Sequence, residues 1–210
     1  KEHRHWRDQP SGDMLTFREA ARTAFLLKGQ IIGTGRYKPP ELGGSYKGAA
    51  VGTSPAYSCS VQAVEVTVDM ETGRVTVDKI IDAHDCGFAI NHTSVEGQMQ
   101  GSVSMGFGEA LFEEVKFNRE GTILNPNLSE YKIPTALDMP NVDCIIIESN
   151  EPRGPYGAKE VGEGAILPTI PAILNAVHNA TGMKIDELPL IPERVYMAIK
   201  KAKNKNSEND

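Results

Sequence analysis

The stretch that decides the fold is Gln62-Ala63-Val64-Glu65-Val66-Thr67-Val68-Asp69-Met70-Glu71-Thr72-Gly73-Arg74-Val75-Thr76-Val77. Val64, Val66 and Val68 alternate with Glu65 and Thr67, the period of a strand with one buried face. Met70-Glu71-Thr72-Gly73 then reads as a turn, and Val75, Val77, Ile80 and Ile81 carry a second extended run. This is a β-hairpin whose first strand extends back to about Tyr57. Asp85-Cys86-Gly87 and Asn91 end it in a turn, and the period changes. Val95, Met99, Val103, Phe107 and Leu111 recur every fourth residue, one face of a helix that Asn91 or Thr93 can cap.

Upstream, Phe17, Ala20, Ala21, Ala24 and Leu27 fall at helical spacing between Thr16 and Lys28, with Gly29 as the stop. A short strand is expected at Gln30 to Tyr37, and the glycine- and proline-rich stretch from Pro39 to Pro55 reads as a long loop. Downstream come a small hairpin around Phe117 to Gly121 and a strand at Val142 to Glu148. A helix from Pro168 or Thr169 to Gly182 accommodates Pro171 in its first turn. Pro192 to Lys201 reads as a short terminal helix, with a polar tail at 201–210. Strands and helices interleave without a simple β-α-β rhythm, so the class is α+β, with mixed sheets and packed helices. Residues 1–200 are expected to form one domain portion.

Composition narrows the function classes. The 210 residues are 40% hydrophobic, enough for a real core, and carry a formal net charge of −6 with no basic stripe. This excludes a mainly electrostatic nucleic-acid binder. Apolar runs such as Phe25 to Leu27 and Ile145 to Ile147 are too short to span a bilayer, and nothing at the start resembles a signal peptide, so a cytoplasmic protein is expected. The chain opens at Lys1-Glu2-His3, which suggests a piece of a larger protein. Cys59, Cys86 and Cys144 are odd in number and widely spaced, fitting neither a disulfide framework nor a cluster of four thiolates, and they read as small buried hydrophobes.

Three features carry candidate chemistry. Gly97 and Gly101 lie one turn apart on one helix face, each costing about 1 kcal/mol against alanine, so either tight packing or a close-lying ligand must offset them. Gln98 and Gln100 stand beside them, as surface amides or as donors and acceptors toward a cofactor. In Arg153-Gly154-Pro155-Tyr156-Gly157-Ala158-Lys159-Glu160-Val161-Gly162-Glu163-Gly164, glycines and a proline set irregular backbone between charges. Glu163 there is either a solvated loop or capping carboxylate, or a general base poised between an apolar pocket and a helix N-terminus. His84, Asp85 and Cys86 are adjacent, but strand neighbours point to opposite faces and the ligand count is short, so no metal is assigned to protein side chains.

Gly157-Ala158-Lys159-Glu160-Val161-Gly162-Glu163, followed by Leu167-Pro168-Thr169-Ile170-Pro171-Ala172-Ile173, resembles the end of the molybdenum-binding subunit of the xanthine dehydrogenase (molybdenum hydroxylase) family. Val95-Glu96-Gly97-Gln98-Met99-Gln100-Gly101 resembles a second motif of that family. The likeness extends from about Thr16 to about Met197. It departs at His92, where family members usually have proline. The resemblance implies a C-terminal portion of a molybdopterin-binding domain, its metal held by the dithiolene of molybdopterin, alone or as the cytosine dinucleotide. It implies Glu163 as general base, Gln98, Gly97 and Gly101 at the cofactor, and Lys159 and Glu160 with them or positioning the Glu163 loop. Iron–sulfur clusters and FAD would lie on other chains or domains, and the earlier part of the molybdenum subunit would complete the site. The implied reaction is hydroxylation of an aromatic heterocycle such as a purine, or of an aldehyde. Gly154-Pro155-Tyr156-Gly157-Ala158-Lys159-Glu160 also resembles hydroxybenzoyl-CoA reductase, a reductive dehydroxylase, and a noncatalytic cofactor-binding or assembly domain is the reading from a different class.

Overall fold

Asp69 explains where the two long strands part. Its Oδ1 accepts the backbone N–H of Glu71 at 2.8 Å and of Thr72 at 3.3 Å, and its Oδ2 accepts the Thr72 hydroxyl at 2.7 Å. This side-chain turn joins β3 (Ser60–Val68) to β4 (Val75–Asp85) as an antiparallel hairpin. The computed structural model describes residues 5–7, 14–30, 32–38 and 56–207 of the chain. They fall into two compact units, Lys1–Lys38 and Pro39–Asp210.

In the first unit, β1 (His5–Arg7) pairs antiparallel with β2 (Met14–Thr16), and α1 (Phe17–Lys28) follows. Thr16 and Glu19 form a reciprocal capping box, Glu19 N–H to Thr16 Oγ1 at 3.2 Å and Thr16 N–H to Glu19 Oε2 at 2.9 Å. Gly29 ends the helix with φ 72° and its N–H on Phe25 O. On the apolar side of α1, Phe17 and Leu27 are exposed and Ala20, Ala21 and Ala24 half-buried. The strand expected at Gln30 to Tyr37 does not form: residues 32–38 join no ladder and are exposed. A strand needs a neighbouring strand to form a ladder. The loop expected from Pro39 to Pro55 lies outside the described residues.

In the second unit, β3 and β4 pair from Ser60 with His84 to Val68 with Val75. A bulge leaves Asp78 unopposed, because Glu65 pairs with Lys79 but Val66 with Val77. The bulge switches the inward parity of β4, from Val75 and Val77 to Ile80, Asp82 and His84. β5 (Asn141–Ile147) then adds parallel to β4, giving a mixed sheet in the order β3-β4-β5. Parallel neighbours need a crossover, and α2 (His92–Leu111) lies within it. One β-α-β unit is thus present where the element order alone suggested none.

Asn91 Oδ1 accepts the Ser94 N–H at 3.1 Å, which fixes Asn91 as the cap of α2 with His92 as its first residue. Val95, Met99, Val103, Phe107 and Leu111 are all buried, as their spacing requires. α3 (Thr169–Thr181) ends at Gly182 in the left-handed region, and α4 (Pro192–Ser207) follows. α4 overruns the end expected at Lys201, correcting the tail reading over 201–207. Val195, Ile199 and Ala202 continue one apolar face onto the core, so packing prolongs the helix. The core joins Val77 and Ile80 of the sheet to Val103, Phe107, Ile173, Val177, Val195 and Ile199. Burying each such aliphatic side chain contributes about 1.5–3 kcal/mol. The outward face of the sheet leaves Val61, Ile145 and Ile147 exposed. The hairpin expected near Phe117 reduces to one bridge, Phe117 to Ile123, around Asn118. Of the cysteines only Cys86 is buried; Cys144 is half-buried and Cys59 exposed, because Cys59 precedes the ladder of β3. No helix among the described residues is long and apolar enough to cross a membrane.

Candidate active site

Strand alternation places Ser60 and Gln62 of β3 beside His84 and Asp82 of β4 on the inward face. Asp82 and His84 are completely buried. Against this polar patch lies the segment 160–165, held at nearly every residue. His84 Nε2 stands 3.0 Å from the Glu160 carbonyl oxygen, and Gln62 Nε2 donates to the Ala165 carbonyl at 2.7 Å. From α2, the Ser102 hydroxyl donates to the Gly162 carbonyl at 2.9 Å. The Glu160 carboxylate curls back to accept the backbone N–H of Glu163 at 3.0 Å and of Gly164 at 3.4 Å, and it also accepts the Ser58 hydroxyl. Burial pushes the Glu160 carboxyl up, but these hydrogen bonds outweigh it and hold the group below the usual glutamate range. Gly164 is required here. A Cβ would lie 2.6 Å from both His84 Cε1 and Glu160 Oε1.

One step earlier the loop is anchored by charge. Lys159 Nζ donates to Asp85 Oδ2 at 2.6 Å and to the Tyr57 carbonyl at 3.0 Å, with only 7% of its side chain exposed. Lys159 N–H also bonds the Cys86 carbonyl at 2.7 Å. Asp85 accepts in addition the Gly87 N–H and the Ser149 hydroxyl, both at 2.9 Å. Burial works against the Asp85 charge, yet the Lys159, Gly87 and Ser149 bonds prevail and hold its carboxyl at about 2. Lys159 is therefore engaged within the fold, binding the loop to the end of β4.

Glu163 differs from Lys159 and Glu160, whose side chains are both engaged. It is exposed, its carboxylate has no hydrogen-bond partner among the described residues, and it lines a cleft of about 500 Å³ with Tyr57, Ser58, Glu160, Leu167 and Pro168. It stands on a run of turns six residues before Thr169, the first residue of α3, so it is not part of that helix's first turn. Gln98 is brought to the residue before it, for the Gln98 amide oxygen would lie 3.5 Å from a Cβ at Gly162. Gly97 and Gly101 are placed elsewhere. They line a separate cleft of about 500 Å³ with Gln100, Ser104, Met139 and Asn141, and a Cβ at either would meet nothing within 4 Å. The turn of α2 thus divides the motif: Gln98 and Ser102 face the Glu163 loop, while Gly97, Gln100 and Gly101 face the second cleft.

Gln62 and Asp82 escape a reading by motif. Their signal is polarity at inward positions of strands whose inward residues farther along are Val and Ile. Chemically, the arrangement offers one unbound carboxylate on a cleft wall, an amide against the loop that carries it, and many hydrogen bonds holding that loop. Such a carboxylate can accept a proton from a group bound in the cleft.

A family model described as a molybdopterin cofactor-binding domain matches residues 2–140. A putative xanthine dehydrogenase molybdenum-binding subunit from Escherichia coli K12 is 37% identical over 194 residues, covering 90% of this chain and 24% of that protein. Among solved structures, quinoline 2-oxidoreductase from Pseudomonas putida 86 superposes with a TM-score of 0.62 at 33% identity, over 65% of this chain and 18% of that one. Aldehyde oxidoreductase from Desulfovibrio gigas gives 0.60 at 35% identity, over 65% and 15%. The chain thus spans about a quarter of the length of the first of these relatives.

Proposed function

This chain belongs to the molybdopterin cofactor-binding domain family of xanthine dehydrogenase-type enzymes, and on that premise we propose that it is the C-terminal portion of a molybdenum-binding catalytic subunit, with Glu163 as general base. The substrate class is an aromatic heterocycle or an aldehyde. The similar proteins named for xanthine, quinoline and aldehyde oxidation support that class. The remainder of the molybdenum subunit, and iron–sulfur and FAD centres on other chains or domains, complete the enzyme. The exposed Val61, Ile145 and Ile147 face of the sheet and the short span of the chain against its relatives favour such partners.

The single observation that carries the base assignment is the unbound carboxylate of Glu163 on a cleft wall, presented by a loop whose other polar groups are engaged. Molybdopterin, when bound, supplies the redox chemistry of the reaction. This chain's residues fit such a group. Gly97 and Gly101 offer bare backbone to an open cleft, with the Gln100 amide and Ser104 hydroxyl on its wall, and Gln98 offers an amide against Gly162 of the Glu163 loop. An Oε atom of Glu163 takes the proton of the attacking oxygen nucleophile. Lys159 and Glu160 serve by fixing the backbone from which Glu163 projects.

The test is Glu163→Gln in the full-length enzyme. Molybdenum content stays at the parental level while turnover falls by about 10²–10⁴-fold, the usual worth of a positioned base. Turnover near the parental value at normal molybdenum content overturns the assignment.

A further inference from the structure

Beneath the Glu163 loop lies a buried polar cluster that the proposed activity does not use directly. Three of its atoms, Gln62 Oε1, Asp82 Oδ2 and His84 Nδ1, are buried and have no hydrogen-bond partner. The chemistry of those atoms is one-sided. Nε2 of His84 faces a carbonyl, Glu160 O at 3.0 Å, so it carries a hydrogen, and a ring with that one hydrogen leaves Nδ1 as an acceptor. Gln62 is oriented likewise, because its Nε2 donates to the Ala165 carbonyl and to Asp82 Oδ1, leaving Oε1 as an acceptor. An ionised Asp82 would make the third unmet atom an acceptor as well. Three buried acceptors on one face of the sheet would then each lack a hydrogen, an arrangement folded proteins avoid.

We propose that Asp82 is protonated on Oδ2 at neutral pH, and that Gln62, Asp82 and His84 together are positioning residues for the loop that presents Glu163. One added proton turns an acceptor into a donor and removes a buried charge. It also suits the neighbours that face Asp82. On β3 these are Ser60 and Gln62, which both donate to its Oδ1; on β4, His84; on β5, Cys144, paired with it in register; and from the loop, the ionised Glu160 beside His84. Among the described residues no lysine or arginine pairs with Asp82, and the nearby Lys159 is bound to Asp85. Burial pushes the Asp82 carboxyl up more than the Ser60 and Gln62 hydrogen bonds and the neighbouring His84 lower it, in the same direction as the hydrogen count. The cluster then fixes both ends of the loop, His84 at Glu160 and Gln62 at Ala165.

The significance for proton transfer rests on Glu163 being the base, but the test does not. In the full-length, cofactor-loaded enzyme, hydrogen exchange is followed at the Glu163 and Gly164 amides, and infrared difference spectra are taken between the parent and Asp82→Asn. The expected spectrum shows the carbonyl stretch of a protonated carboxylic acid in the parent, lost in Asp82→Asn. His84→Leu raises exchange at both amides by about tenfold or more, whereas His84→Gln, whose amide nitrogen can reach the same carbonyl, stays closer to the parent. Asp82→Asn, a near-isosteric mimic of the neutral acid, stays within about twofold. Where His84→Leu fails to assemble, Gln62→Leu carries the same expectation. Parental exchange in both leucine variants overturns the positioning role, and absence of the acid band overturns the protonation. Normal turnover of Glu163→Gln alongside the expected exchange results sinks the base assignment alone.

Discussion

The two halves of α2 use the same residue to opposite ends. In the C-terminal half, Gly106 and Gly108 are buried, and a Cβ at Gly106 would lie 2.5 Å from the Thr169 Cβ on α3. A Cβ at Gly108 would run into the Glu113 side chain and lie 3.0 Å from Pro134 Cδ. In the N-terminal half, Gly97 and Gly101 are exposed and a Cβ would meet nothing. Glycine in a helix costs stability, so each pair needs a reason. Close helix packing supplies it for the first pair, and nothing within the described residues supplies it for the second. The same division runs through the loop at 157–165, where Lys159 is engaged and Glu163 is left free. Groups committed to the fold and groups left open lie within a few residues of each other.

Substitutions at the committed groups should show the largest effects. Asp85→Asn leaves Lys159 buried without its anion and should destabilise the protein by about 3–5 kcal/mol at neutral pH in chemical denaturation. In the parent, the folded value of Asp85 near 2 lies below the unfolded 3.8, which makes its contribution about 2 kcal/mol. It is complete above about pH 5, declines as pH falls through 3.8, and is gone below the folded value. A stability profile in which Asp85→Asn and the parent keep the same gap from pH 7 down to pH 2 would break the assignment of Lys159 to the committed class. Gly106→Ala should come next, a loss of about 1–2 kcal/mol as the clash with Thr169 exceeds the gain in helix propensity. Smallest, and of opposite sign, is Gly101→Ala, expected to raise stability by about 0.5–1 kcal/mol. If Gly101 faces the cofactor, the bulkier Gly101→Leu should at the same time lower the molybdenum content of the whole enzyme. Like signs for the two alanine variants would remove the distinction between the halves of α2.

Much of the fold is legible from residues near one another in sequence. Thr16 and Glu19 cap α1, Asp69 builds the hairpin turn, Asn91 starts α2 and Gly182 stops α3, each by contacts within four residues. What sequence reading missed has distant causes. Lys79 to Asp85 pair in parallel with Asn141 to Ile147 across the whole of α2 and the loops after it. The bulge at Asp78 reverses the inward parity of β4, so simple alternation from Val75 mispredicts which side Asp82 and His84 face. The run at Gln30 to Tyr37 carried strand propensity, but its described residues 32–37 join no ladder. The candidate site divides likewise. The glycines and charges around Glu163 mark the loop, but its supports, Gln62, His84 and Ser102, come from three other elements.

By itself the sequence determined the α+β class, the caps and turns, the buried face of α2 and the identity of the residues that can carry chemistry. These depend on side chains acting on backbone a few residues away, where chain connectivity keeps partners close at little entropic cost. Only the tertiary structure decided which of those residues are committed and which are free. Lys159 and Glu163 both carry a charge and stand four positions apart in one glycine-rich loop. Asp85, 74 residues upstream, neutralises the first, while the second faces a cleft. That difference is fixed by which distant elements pack together, and no local pattern encodes it.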